Sequence, residues 1–172
     1  MTRASRVILL APAVLTTSCI VYDVEVIVDD DGAASLSIEV EDEHARLDVY
    51  ERLLESPHVR ITSCSESAGA SATRVRLNAR VADVRRLPDL PAFKGVRVFL
   101  EDLDETRTLL QVEHDALGTV VAGDLRVTLT LPRAPLQHGG APLAGPRALR
   151  LEAPIAALEH RELRLWAVMP RE

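Results

Sequence analysis

The chain has 172 residues, 47% of them hydrophobic and 27% charged, a balance that suits one globular domain and excludes a disordered or fibrous chain. Its 26 acidic residues outnumber 20 basic ones and aromatics reach only 3%. Such a surface argues against nucleic-acid partners, against docking on anionic headgroups and against aromatic stacking platforms for bases or sugars.

The first element is a leader. Arg3 and Arg6 precede an apolar run from Val7 to Leu15, and Thr16, Thr17 and Ser18 lead to Cys19. Basic, apolar and small residues in that order are the layout of a secretory signal. The apolar run is far shorter than the ~20 residues of a membrane-spanning helix, and Pro12 interrupts it. A cysteine directly after the small residues resembles a bacterial lipoprotein signal, which is cut before the cysteine so that the cysteine carries the lipid. That resemblance implies a signal peptide over residues 1–18, lipidation at Cys19 and a membrane partner reached through the lipid. Leu15 stands four residues before Cys19, whereas the lipoprotein box usually has its Leu three before; Thr16 takes that place. The rival readings are a plain secretory signal with Cys19 incidental, and a buried first strand of a cytosolic protein. The second is disfavoured because no acid occurs before Asp23, after which acids become dense.

Cleavage takes away Arg3 and Arg6, leaving residues 19–172 as a single domain with a net charge of 18 − 26 = −8. Cys64 then has no partner in the chain and reads as a small buried thiol. A Cys19–Cys64 disulfide in an oxidising compartment is the competing reading, and lipidation excludes it.

Strand patterning begins at Ile20. Tyr22, Val24, Val26 and Val28 alternate with Asp23, Glu25 and Ile27; Asp31-Gly32 supplies a bend, and Leu36, Ile38 and Val40 resume the alternation. This is a hairpin. Residues 42–56 change to a three-and-four spacing, with Ala45, Val49 and Leu53 in one apolar row and Leu47, Tyr50 and Leu54 in another, Asp42 as the expected cap and Pro57 as the stop, so an amphipathic helix is expected. Strands follow at residues 59–63 and 73–84, separated by a small-residue loop at 66–72. In the second of these, Arg74, Arg76 and Arg80 form a basic stripe, read as a solvent face opposite acidic neighbours in preference to a phosphate site. Residues 85–95, with Pro88 and Pro91, form a connector. A second hairpin spans 96–113, a strand runs over 124–131, and 132–146 is a proline- and glycine-rich loop expected to be exposed and flexible. Strands at 148–151 and 162–168 around a short helical piece close the chain. The sum is an α+β fold, a mainly antiparallel sheet of about eight strands with one amphipathic helix packed on it.

Catalytic and metal chemistry finds little support. Asp29, Asp30 and Asp31 lack the alternate spacing and distal Glu of a calcium loop and read as a solvated turn. His44, His58, His114, His138 and His160 do not fall at zinc spacing. Residues 67–71 have the wrong order for a nucleophile elbow, and Gly139-Gly140 is a lone pair without a phosphate cradle. No catalytic residue, metal set or cofactor is assigned, and the expectation is that the chain is not an enzyme; a hydrolase would have to depend on His160 or His114.

With the strands placed, a wider likeness emerges. Cys19-Ile20-Val21-Tyr22-Asp23-Val24, the alternating valines, Asp31-Gly32, the Glu- and Leu-rich helix, Val127-Thr128-Leu129-Thr130-Leu131-Pro132 and the strand near Trp166 resemble the LppM-type bacterial lipoprotein domain. The resemblance covers nearly all of residues 19–172. It implies an α+β extracytoplasmic domain, a proposal of lipid binding and no catalytic motif. The transmembrane helix that such proteins often add at the end has no counterpart before Glu172. The expected function is a lipid-anchored cell-envelope lipoprotein binding a lipid or other hydrophobic ligand; the alternative is a structural or interaction lipoprotein that meets an envelope protein. Ile20 after the cysteine, where inner-membrane retention often uses Asp, points to the outer membrane if the organism has one.

Overall fold

The computed structural model describes residues 20–115, 122–158 and 161–171. The leader, Cys19 and His160 lie outside the described residues. The opening hairpin is as the alternation predicts: β1 (Ile20–Val28) pairs antiparallel with β2 (Ala34–Asp42), from Val21↔Glu41 to Val28↔Ala34. At the bend the Asp29 N–H donates to the Ala33 carbonyl at 2.8 Å, and the Asp31 carboxylate accepts from the Ala33 N–H at 2.9 Å. Gly32 sits there at φ +83, a left-handed conformation that side chains resist.

Tertiary pairing moves several predicted boundaries. The helix α1 spans only Leu47–Leu53 and Asp42 does not cap it. Asp42 is drawn into β2, where it pairs with Thr73 of β4 (Thr73–Val81), and its side chain accepts from the His44 N–H at 2.7 Å. The helix start is served from a distance: the Glu66 carboxylate accepts from the Leu47 N–H at 2.8 Å, a negative charge at the end where the helix dipole favours one. Glu66 belongs to β3 (Val59–Ala68), which continues five residues past its predicted end because β4 pairs with it as far as Thr73↔Ala68. Leu47 and Tyr50 are half-buried against the core and Leu54 is fully buried, so that row of the amphipathic face is real although the helix is short, whereas Val49 of the other row stands exposed.

The expected sheet of about eight mainly antiparallel strands is loosely met by a seven-stranded one, and a second sheet of four strands accompanies it. A seven-stranded sheet has the order β3-β4-β2-β1-β7-β10-β9, with β7 at Gly123–Thr130, β9 at Leu143–Gly145 and β10 at Ala148–Pro154. A four-stranded sheet has the order β5-β6-β11-β8, with β5 at Val96–Asp102, β6 at Arg107–His114, β8 at Gln137–Gly139 and β11 at Leu163–Pro170. All pairs are antiparallel except β1 with β7, which run parallel from Ile20↔Gly123. The proline-rich segment read as a loop contains β8 and β9, so it carries the chain from one sheet to the other. Its strands are three residues each, too short for an alternation to register.

Both sheets feed one core. Leu36, Leu77, Leu129 and Leu149 from the larger sheet meet Leu110, Leu165 and Met169 from the smaller. Each fully buried Leu contributes about 1.5–3 kcal/mol of hydrophobic stabilisation. Two 3-10 turns, Val84–Asp89 and Pro91–Phe93, lie between β5 and α1 and complete the second layer. Val84, Leu87 and Leu90 cover the edge of β5. That covering leaves β3 as the long edge strand among the described residues.

The registers define two poles. Ile20, Asp42, Thr73 and Ala68 share one level of the large sheet. The opposite end gathers the β1–β2 bend, the β5–β6 turn and the end of β11, as the Arg171 N–H donates to the Thr106 carbonyl at 2.7 Å.

Candidate functional site

Ile20 is 5% exposed, its N–H donates to the Ala122 carbonyl at 3.2 Å, and it pairs with Gly123. Hence Cys19, whatever its chemical state, lies about 3.8 Å by Cα from a residue already fixed in the sheet. No spacer separates the two.

Cys64 is a free, exposed thiol, not the buried residue expected from its neighbours. It falls on the part of β3 that runs beyond the core, and the Glu51 carboxylate of α1 accepts its hydrogen bond and pushes its pKa up. The rows Cys64↔Leu77, Leu77↔Ile38 and Ile38↔Val24 set it three strands across the sheet and four residues along it from Ile20. At ~4.8 Å per strand and ~3.3 Å per residue the separation is roughly 20 Å. A disulfide needs Cα atoms within about 7 Å, so a Cys19–Cys64 bridge is out of reach.

Two hollows open on the surface. A groove of about 350 Å³ runs between α1 and β3, floored by Leu54, Val59 and Ile61 and rimmed by Glu51, Arg52 and Glu55. Pro57 lies just after the helix and before β3, so the chain leaves Leu54 and re-enters as Val59 beside it. The second hollow, about 420 Å³, sits at the pole opposite Ile20 and is lined by charge, including Asp30, Arg85, Asp102, Arg133 and Arg171. Its groups are tied to one another: Arg133 meets Asp30 at 3.0 Å and donates to the Pro170 carbonyl at 3.1 Å, and Arg171 meets Asp102 at 3.0 Å.

The other sequence candidates disperse. Asp29 pairs with Arg80, Asp30 with Arg133, and Asp31 closes its own turn. Among the described residues no group of His, Cys, Asp and Glu is placed to hold a metal ion. His44 faces Glu43 at 3.1 Å, while His114 ends β6 and His138 lies on β8. The arginine stripe of β4 stands against acids as expected: Arg74 meets Glu41 at 2.8 Å and Glu39 at 3.2 Å, and Arg76 meets Glu39. The Gly139-Gly140 pair serves packing. Gly139 lies under the Trp166 indole, where an added Cβ would stand 2.5 Å from the ring nitrogen.

No pattern along the chain marks the contact that fastens α1. The Tyr22 hydroxyl of β1 is hydrogen-bonded to the Tyr50 hydroxyl of the helix. Burial, the adjacent Tyr50 and the hydrogen bond all push the Tyr22 pKa up; burial likewise raises that of Tyr50, against the lowering effect of the bond to Tyr22. A tyrosine on the inward register of each element was the available signal, and the registers alone do not bring the two together.

By sequence the chain matches no family model and no curated protein. By structure it is similar to the folded domain of Mycobacterium tuberculosis LppM, solved by NMR, with a TM-score of 0.61 and 12% identity over 93% of this chain and 95% of that one. The fold is therefore LppM-like.

Proposed function

We propose that this chain is a lipid-anchored lipoprotein of the bacterial cell envelope, held by acyl chains on Cys19, with a folded module that receives a hydrophobic ligand in the groove between α1 and β3. One observation carries the anchoring: the LppM-like module starts its first strand at Ile20, immediately after the Thr16-Thr17-Ser18-Cys19 leader. Ile20, the first described residue, already belongs to β1, so a cut before Cys19 leaves that strand whole. Each buried methylene of an acyl chain contributes about 0.8 kcal/mol, so two or more chains hold durably without a spanning helix. Among the described residues no helix is long and apolar enough to cross a membrane. Cys19→Ser is expected to yield an uncut or soluble protein; a variant that stays with the membranes at wild-type mobility refutes lipidation.

The ligand reading rests on Leu54, Val59 and Ile61, an apolar floor with a charged rim, the makeup of a small-molecule site. The alternative, an interaction lipoprotein without a ligand, draws on a different observation: the space between the layers is filled by Leu36, Leu77, Leu110, Leu129 and Leu165, each at most 2% exposed. Native mass spectrometry of the membrane-extracted protein separates the two. Co-purified lipid that is lost in Ile61→Glu supports the groove, and a clean apo mass with no uptake supports the interaction role. No catalytic role enters the proposal.

A further inference from the structure

The missing spacer after Cys19 fixes how an anchored module must stand. Residues 20–28 form one continuous strand whose first residue is already buried and hydrogen-bonded to the sheet. A lipid on Cys19 therefore leaves the molecule at one pole of the sandwich, with no slack to swing. That pole carries Ile20, the end of β2 at Asp42 and the turn joining β3 to β4, where the Gly69 N–H donates to the Ala72 carbonyl at 2.8 Å. The turn itself reads Ala-Gly-Ala-Ser-Ala from residue 68 to residue 72, small and uncharged, and Ala70 at its tip is exposed. β1 spans eight residue steps, so the opposite pole lies about 27 Å further out at ~3.4 Å per step. There sit the charged hollow of Asp30, Arg133 and Arg171 and the β5–β6 turn with Glu105.

We propose that the Ile20 pole rests against the headgroups of the bilayer, held there by the absence of a spacer, so that the charged hollow of Asp30, Arg133 and Arg171 faces away from the membrane. This rests on the reading of Cys19 as the acylated residue. Charge does not draw the pole to the membrane: Asp42, Glu43 and Asp124 lie at it and repel anionic headgroups, while Asp115 there is met by Arg97 at 3.1 Å. Their field is screened within about 10 Å at ordinary ionic strength, whereas acyl burial is insensitive to salt. The tether sets the pose, and a neutral headgroup layer suits it best. Under this arrangement the pole that is free to meet soluble partners is the charged one, and the α1–β3 groove, whose Val59 and Ile61 register with Val28 and Val26, lies near that far level on the β3 edge.

The test uses the acylated protein in phosphatidylcholine vesicles that carry an acceptor dye on a fraction of headgroups. Cys64→Ser removes the free thiol, and Ala70→Cys or Glu105→Cys adds a donor-dye site at one pole or the other. Intact mass first establishes acylation. Energy transfer is expected to be several-fold stronger from position 70 than from position 105. A Gly-Ser linker of about 12 residues inserted between Cys19 and Ile20, reaching roughly 20 Å, is expected to erase most of that difference. Equal transfer from both sites in an acylated chain overturns the pose and leaves the anchor standing. A difference that survives the linker overturns the tether as its cause. An unacylated mass overturns both the pose and the reading beneath it. Hydrogen exchange on the unlabelled protein gives a check free of variants: vesicle binding should protect residues 68–73 and spare 102–107, and the reverse pattern contradicts the pose.

Discussion

Tyr50→Phe is a sharper probe of the fold than its chemistry suggests, because it leaves the buried partner stranded. Tyr22 is 6% exposed and its hydroxyl is hydrogen-bonded to Tyr50 across the junction of β1 and α1. Without Tyr50, a buried hydroxyl loses its partner, at a cost of about 1–3 kcal/mol. Tyr22→Phe removes the buried hydroxyl itself and leaves Tyr50, which is only half-buried, within reach of water; that change costs about 0.5–1.5 kcal/mol. For a chain of this size each kcal/mol shifts the Tm by about 2–4 °C, so thermal unfolding at neutral pH ranks the two variants. A second signature lies at alkaline pH. Both phenols have raised pKa values in the fold, so above about pH 10 the unfolded chain sheds protons that the folded chain keeps. The pair's contribution is whole below that pH and declines as pH rises through the folded values. The double variant, Tyr22→Phe with Tyr50→Phe, should flatten that decline. If Tyr50→Phe is no more harmful than Tyr22→Phe, and the alkaline limb is unchanged in the double variant, the hydrogen-bonded junction is wrong.

Other substitutions grade the structure from core to surface. Leu36→Ala, at a 2% exposed site in the middle of β2, is expected to cost about 2–5 kcal/mol in urea unfolding; a loss below 1 kcal/mol would mean that the shared core is not closed there. Gly139→Ala places a methyl 2.5 Å from the Trp166 ring nitrogen, so Trp166 must move, with a red-shifted emission and a loss of about 1–3 kcal/mol; unchanged emission would contradict the seat. Arg76→Ala breaks its pair with Glu39 on an exposed face and is expected to cost no more than about 1 kcal/mol, with no co-purifying phosphate ligand lost.

What was legible in the sequence followed from local rules. The β1–β2 hairpin was readable because Tyr22, Val26 and Val28 face one way on a strict period of two and Gly32 supplies the positive φ at its bend. The arginine stripe of β4 was readable as a solvent face because alternation placed it opposite Val75, Leu77 and Val81, and its acidic neighbours Glu39 and Glu41 sit on the strand beside it. What failed depended on partners distant in sequence. Asp42 has the chemistry of a helix cap, but Thr73 claims its backbone, and the cap comes from Glu66, nineteen residues after the group it serves. The division into two sheets hangs on β8 and β9, which have no hydrophobic pattern of their own and exist because β11 and β10 present open edges. The α1–β3 groove needs the helix to stop at Leu53, so its floor of Leu54, Val59 and Ile61 was hidden while residues 42–56 were read as one helix. Cys64 was misplaced for a similar reason: β3 reaches beyond the core that its neighbours in sequence suggest.

The measurement that bears most directly on all of this is the intact mass of the native protein together with the sequence of its first peptide. A chain that starts at Cys19 and carries a diacylglyceryl group on its sulfur, recovered from membranes, is the predicted result. A chain recovered from the cytosol that still starts at Met1, with an unmodified Cys19, contradicts the account.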